Sequence, residues 1–234
     1  LMGGYGITED CPGFLGQKWM DAQLEATYEG PEAVQRRQMS ITMTSELFLT
    51  QYRQWIPELR RIAGAHPETG AGALAAAMEL WSWTMDYLQQ AKDVDGKPLY
   101  HSQRHGVVFP FADALCWLLA SRFQILDTLE LKEKGPDNPV LAEGLEGYVN
   151  FFSDLCYVQA ARAAGEVGRI CAELVHGFNA PPDGDRRLAG DSLQAFAGLR
   201  GKLDVSLAGS RLAKDRAATA LSKVTIPEAL DYPR

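Results

Sequence analysis

The sequence predicts an all-α fold: an antiparallel helical bundle of about four long helices behind an irregular N-terminal segment. Three observations predict it. Long segments repeat apolar residues at alternating steps of four and three, Gly- or Pro-bearing connections separate them, and strand signals are confined to a few residues around Leu24 to Tyr28. Alternating steps of this kind place the apolar residues on one helical face and favour shallow crossing angles between helices. Short connections make successive helices antiparallel neighbours.

Residues 1–30 are Gly-rich and turn-rich. Pro12 can occupy the first position of a short helix reaching about Ala22, with Asp10 or Cys11 as its cap, because the missing proline N–H falls where no partner is available. Gly30-Pro31 punctuates the chain and opens the first long run, from Glu32 to about Ile62. There Phe48, Tyr52, Trp55, Leu59 and Ile62 share a face, and Pro57 is expected to kink or break the helix. Gly64 to Gly72 reads as a turn. The second run, from about Gly72 to Ala91, carries Leu74, Met78, Trp81, Met85 and Leu88 on one stripe. A polar loop from Asp93 to Gly106 follows. The third run spans about Val107 to Lys134, with Ala112, Leu115, Leu119, Leu126 and Leu129 aligned, and Gly135-Pro136 ends it.

The fourth run is expected to be capped by Asn138, with Pro139 in its first turn. Gly177 closes it, with Pro181 beyond. Leu141, Leu145, Tyr148, Phe152 and Leu155 line one face before the stripe shifts to Cys156, Ala160, Ala163, Val167, Ile170 and Leu174; a kink is expected near Gly144 or Gly147. After a loop at Pro181 to Asp185, one or two shorter helices precede Val224. Ile226 to Pro233 reads as an extended or turn-like end.

Composition narrows the function classes. The chain has 234 residues, 46% hydrophobic and 23% charged, with a formal net charge of −7. That length makes one or two domains and leaves room for a core without disulfide or metal staples. The acidic balance argues against a general nucleic-acid footprint. No segment reads as a membrane span: the best apolar run, Val107 to Ala120, is interrupted by Pro110 and Asp113. Leu1 to Gly6 does not read as a signal peptide, having no basic region before an apolar stretch. Cys11, Cys116, Cys156 and Cys171 form no C-x-x-C pair, which fits a reducing, cytoplasmic setting better than a disulfide framework.

Most short motifs lead nowhere. His101 and His105 are four apart, but Pro98 and Gly106 flank them, so a loop is expected rather than a metal site. Asp93-Val94-Asp95-Gly96 opens like a calcium loop and lacks the later oxygen ligands. Neither G-x-S-x-G nor G-K-[ST] occurs. Arg122 and Arg162 fall on apolar stripes and read as snorkelling or salt-bridged side chains.

The opening residues carry more. Gly3-Gly4-Tyr5-Gly6-Ile7-Thr8-Glu9-Asp10-Cys11-Pro12 is followed by Met20-Asp21-Ala22 and then by Tyr28-Glu29-Gly30-Pro31-Glu32-Ala33-Val34-Gln35-Arg36. In order and spacing over about forty residues, this resembles the end of the flavin-binding domain of the acyl-CoA dehydrogenase family. The following region resembles the extra C-terminal helical domain of the larger members, through its helix pattern and the closing Ile226 to Pro233 segment. The resemblance implies two parts, the incomplete end of a flavin-binding domain over 1–44 and a helical bundle domain over 45–234. It also implies that the helical, β and most of the flavin-binding parts of an intact enzyme lie upstream of this chain.

For the intact enzyme the resemblance implies FAD-dependent α,β-desaturation of an acyl-CoA thioester, with hydride passing to flavin N5 and electrons onward to an electron-transfer flavoprotein. Glu29 would remove the α proton, a task that needs a partly desolvated carboxylate and fixed donors for the developing enolate oxygen. Tyr28 and Gly30 would line the acyl site, and Gly3, Gly4, Pro31 and Ala33 would contact FAD, the glycines by letting backbone approach closely. The helical domain would serve homo-oligomerisation or membrane contact. On spacing alone, Glu29 reads as a solvent-exposed acid before a Gly-Pro turn; the surrounding match is what favours the base. Two positions depart from the family pattern. Met20 stands where Arg is usual, and Pro31 stands where Thr is usual, removing a hydroxyl and an N–H from the flavin contact. The competing reading is a non-catalytic helical interaction module or one subunit of a heteromeric dehydrogenase. Taken alone, these 234 residues are expected to be inactive, since one wall of a flavin site buries too little of the cofactor to hold it.

Overall fold

The computed structural model describes residues 22, 32–142, 144–178 and 191–223. They form a packed all-α bundle. In chain order the helices are α1 (Glu32–Thr42), α2 (Glu46–Ala65), α3 (Ala71–Gln90), α4 (His105–Lys134), α5 (Leu145–His176), α6 (Asp191–Ser206) and α7 (Ser210–Lys223), with single 3₁₀ turns at Pro67–Thr69 and Gly135–Asp137. Among the described residues the only extended pairing is an isolated bridge between Lys92 and Pro98. The expected strand residues around Leu24 to Tyr28 and most of the expected short helix lie outside the described residues. Ala22 is helical.

The core grows from the stripe on α3. Leu74, Met78, Trp81, Met85 and Leu88 are all fully buried. α3 packs on α2, α4, α5 and α6, while α5 packs on α3, α4 and α7. The Trp81 indole stacks on the Phe111 ring of α4 at 4.6 Å between centroids, and the Tyr52 ring of α2 lies 4.7 Å away on a tilt. Both polar tips are satisfied inside the core. Trp81 Nε1–H donates to the Phe111 carbonyl at 3.2 Å, and the Tyr52 hydroxyl donates to the Met78 carbonyl at 3.2 Å. Buried aromatics bring large apolar area to a core only when such tips find partners.

Several boundaries differ from the sequence reading. The run expected from Glu32 to Ile62 is two helices, broken at 43–45, where Ser45 adopts extended backbone (φ −64°, ψ 131°). α2 then runs through Pro57 without ending. Pro57 lies on the exposed side, opposite the buried Tyr52, Ile56 and Leu59. There the carbonyl it leaves unpaired can meet water, so burial of the other face outweighs one lost bond. α5 begins at Leu145 rather than at Pro139. Asn138 Oδ1 accepts the Val140 N–H at 3.0 Å, so its side chain closes a turn instead of capping the helix. Gly144, offered as a kink, is the residue that precedes the helix, and Gly177 follows its end as expected.

One glycine is required twice over. Gly70 joins the 3₁₀ turn to α3 with φ +73°, and a Cβ there would fall 2.8 Å from the Tyr157 Cα and 2.7 Å from its ring. The left-handed backbone and the close approach of α5 both exclude a side chain.

The expectation of no membrane-length segment needs correcting. Because α4 continues through Pro110, His105–Asp137 is long and apolar enough to cross a membrane by length and composition, with a mean hydropathy of 1.4 in its most apolar window. Half of that window is buried inside the bundle, and a core helix passes the same test. Val107, Phe111, Leu115, Leu118 and Ile125 are among the residues it buries.

The aromatic hub makes a measurable prediction. Trp81→Ala should cost about 3–5 kcal/mol of unfolding free energy in urea titrations, whereas Leu47→Ala, at a largely exposed position, should change it by no more than about 0.5 kcal/mol.

Candidate functional site

The residues that the sequence singles out for chemistry are Gly3, Gly4, Tyr28, Glu29, Gly30, Pro31 and Ala33. All but Ala33 lie outside the described residues. Ala33 is exposed in the first turn of α1, where its one-carbon side chain leaves the surface open to an approaching group. What the structure does show is how the downstream end of this segment is fixed. α1 lies against α4. Arg36 Nε donates to Asp113 Oδ1 of α4 at 2.8 Å, and a second guanidinium nitrogen reaches Glu32 at 2.7 Å. The Tyr100 hydroxyl donates to the Ser40 carbonyl at 2.7 Å, and burial pushes that phenol up to about 12. Met43, just beyond α1, is fully buried in the main core.

The remaining polar candidates have structural employment. Arg122 is buried, donates to Glu58 of α2 at 2.9 Å and lies 4.4 Å over the Trp55 ring. Its Nε has no partner, so the guanidinium depends heavily on Glu58 and on the indole face. Arg162 is exposed, and its guanidinium lies 4.9 Å over the Trp117 ring. His101 accepts the Gln103 N–H within a loop. His105 starts α4 and stacks on Phe109, so the two imidazoles do not share a helix face. Asp93 Oδ1 accepts the N–H groups of Lys97 and Asp95, and Arg104 pairs with its other oxygen at 2.8 Å. Those two N–H bonds, Lys97 foremost, and the guanidinium hold its carboxyl below the usual range. No group of three or more metal-ligating side chains comes together among the described residues.

The three described thiols are held in the neutral form. Cys116, Cys156 and Cys171 are free. Burial raises the Cys156 thiol and pushes Cys171 up to about 12, the Thr84 hydroxyl opposing only part of that rise. A thiolate at neutral pH needs the opposite environment.

One feature escaped the sequence reading. Between the start of α5 and α7 lies an open groove of about 920 Å³, walled by Tyr148, Phe151, Phe152, Leu212 and Leu221 with Arg216 at its side. Tyr148 is 48% exposed, Phe152 38%, Leu212 63% and Leu221 44%. The sequence places Tyr148 and Phe152 on a core stripe. The structure instead puts the core on the stripe that begins at Cys156. Arg216 Nε donates to both oxygens of the part-buried Asp154 at 3.1 Å, and the Tyr157 hydroxyl donates to the Ala208 carbonyl. These bonds pin α7 antiparallel to α5 and set the groove's width. The signal was present as the shift of stripe within the fourth run.

No family model matches this sequence, and no curated protein or solved structure is significantly similar to it.

Two stability measurements follow. Glu58→Ala should destabilise by about 1–3 kcal/mol, because it leaves a buried guanidinium short of acceptors. Arg122→Met should cost less, because it leaves behind a carboxylate that water reaches. The second concerns pH. An unfolded cysteine titrates near its ordinary value of 9.0, the folded Cys171 near 12. Between those values the unfolded state binds fewer protons, so stability falls with rising pH. Urea midpoints should hold steady up to about pH 9 and fall above it, and Cys171→Ala should flatten part of the fall.

Proposed function

We propose that this chain is the C-terminal part of an FAD-dependent acyl-CoA dehydrogenase, with Glu29 as the base that removes the thioester α proton. The observation that carries the reading is the order and spacing of Gly3-Gly4-Tyr5-Gly6, Asp21-Ala22 and Tyr28-Glu29-Gly30. The all-α bundle that follows agrees with an appended helical domain. The tie between α1 and α4 supplies a physical reason for a bundle to matter. α1 begins two residues past Gly30 and is held to α4 by Arg36 and to the loop before α4 by Tyr100. The chain beyond Glu29 is tied to the bundle at Arg36, seven residues downstream.

The division of labour is then simple. Bound flavin supplies the hydride acceptor. Glu29 holds and takes the α proton, with Tyr28 and Gly30 forming the acyl wall beside it. Gly3, Gly4, Pro31 and Ala33 would contact the cofactor. Ala33 fits that role in being small and exposed, while Pro31 brings no hydroxyl and no N–H. Acyl-CoA is the substrate, and an electron-transfer flavoprotein takes the electrons. A cytoplasmic homo-oligomer joined through the helical domain is the form we expect.

A second reading has an observation of its own. The groove between α5 and α7 leaves aromatic and aliphatic side chains partly exposed on a stable bundle. That favours a non-catalytic interaction module, or a subunit of a heteromeric dehydrogenase that lends a surface rather than a site.

The test joins this chain to the upstream domains that the resemblance implies. The full polypeptide should show flavin absorption that bleaches on adding acyl-CoA, and Glu29→Gln should retain the flavin spectrum while losing bleaching at least 100-fold in rate, at the lower end of what a positioned base contributes. A variant that bleaches at the parent rate removes Glu29 from the role. A colourless parent favours the interaction module.

A further inference from the structure

We infer that the groove between α5 and α7 receives α7 of a second copy of this chain, the two α7 helices packing antiparallel about a two-fold axis. The inference gives a surface to the homo-oligomer expected above and rests on that part of the reading; it owes nothing to the flavin chemistry.

The charges of the groove decide its occupant. Leu212, Asp215, Arg216 and Thr219 follow the i, i+3, i+4, i+7 spacing that puts residues on one helical face, and all four line the groove and are exposed. Among the described residues Asp215 has no ion-pair partner. Arg216 turns Nε and one Nη to Asp154, its other Nη has no partner among the described residues, and its side chain is 57% exposed. A small anion would answer the guanidinium and be repelled by Asp215, and a small cation would meet the reverse. A second α7 running the opposite way answers both charges at once. Across a two-fold axis every contact is made twice, from each copy to the other, so Asp215 of each chain faces the partner's Arg216.

The register set by these ion pairs also fills the apolar walls. With the axis midway between Asp215 and Arg216, Leu212 lies opposite the partner's Thr219, three residues before the one and three after the other. Within one chain α7 runs antiparallel to α5, and the bonds from Arg216 to Asp154 set their relative level. Thr219, three residues beyond Arg216, is therefore level with Phe151, three residues before Asp154. The partner's Leu212 arrives beside Phe151, where Tyr148 and Phe152 also line the groove. Nothing in the placement of the charges requires that coincidence: an exposed leucine meets the exposed aromatic wall in the same register that pairs the charges. Each α7 then sits over the α5–α7 groove of the other copy, an amphipathic helix laid in a groove. The four helices form a bundle of two layers with a shared apolar seam.

Sedimentation equilibrium of the 234-residue chain tests the surface. The unsubstituted chain should pass from monomer to dimer as its concentration rises. Asp215→Arg sets guanidinium against guanidinium at both pairs and should raise the dissociation constant at least tenfold. A chain that stays monomeric up to millimolar concentration would overturn the inference and the homo-oligomer with it. A dimer indifferent to Asp215→Arg would overturn the inference alone, and neither result bears on Glu29.

Disulfide trapping gives a second readout with both charges kept. In a Cys11→Ser, Cys116→Ser background, Leu212→Cys and Thr219→Cys are introduced together. Seven residues of one helix separate them by ~10.5 Å, beyond the ~7 Å between Cα atoms that a disulfide can span, so any bond joins two copies. On oxidation with copper–phenanthroline the interchain bond should form at least tenfold faster than in a control carrying Gln54→Cys and Arg61→Cys, which share that spacing on the exposed side of α2. Equal rates in the two proteins would sink the proposed interface.

Discussion

The stacking of Trp81 between Tyr52 and Phe111 is the contact on which the bundle depends. It joins α2, α3 and α4 through rings whose centroids lie 4.6–4.7 Å apart, with both polar tips bonded to buried carbonyls. Each such ring removes ~150–250 Å² from water, worth ~4–6 kcal/mol at ~25 cal/mol per Å². The exposed ion pairs, Arg53–Asp86 and Arg60–Glu79 among them, each contribute about 0–1 kcal/mol. Magnitude therefore decides what fixes α4 in place, and α4 in turn is the platform on which α1 rests. α1 thus owes its placement to an aromatic cluster drawn from three helices further along the chain.

The helices were legible where one stripe faces one core. The α3 stripe from Leu74 to Leu88 is buried as its spacing implies, and the Gly-Pro punctuation after α4 and the glycine after α5 stand where expected. Legibility failed where local chemistry had two outcomes. Pro57 can break a helix or ride on its wet side, and only the burial of the opposite face decides. Asn138 can cap a helix or close a turn, and here Val140 takes its oxygen. Periodicity likewise reports that Tyr148 and Phe152 share a face without saying whether that face meets the core. Their exposure follows from where α7 docks, a long-range fact carried by Asp154–Arg216 and by Tyr157 with Ala208.

The residues proposed for function divide differently. Glu29 and its neighbours stand out through order and spacing, while the described structure bears on them only through Ala33 and the anchoring of α1. The buried cations needed the opposite treatment. Arg122 on an apolar stripe could have marked a ligand, and its pairing with Glu58 over Trp55 gives it a structural occupation instead. The groove had no motif at all and emerged from packing. A chain of this kind can thus carry two unrelated surfaces, one at the entry to α1 and one along α7, linked only by the bundle between them.

Mass spectrometry of the thioester tests the central functional claim most directly. The full-length, flavin-loaded polypeptide is incubated with a series of acyl-CoAs and an artificial electron acceptor, and the products are weighed. Our account expects at least one acyl-CoA to emerge two hydrogens lighter, as the 2,3-enoyl thioester. Thioesters recovered unchanged across the series, from protein that holds its flavin, would contradict it.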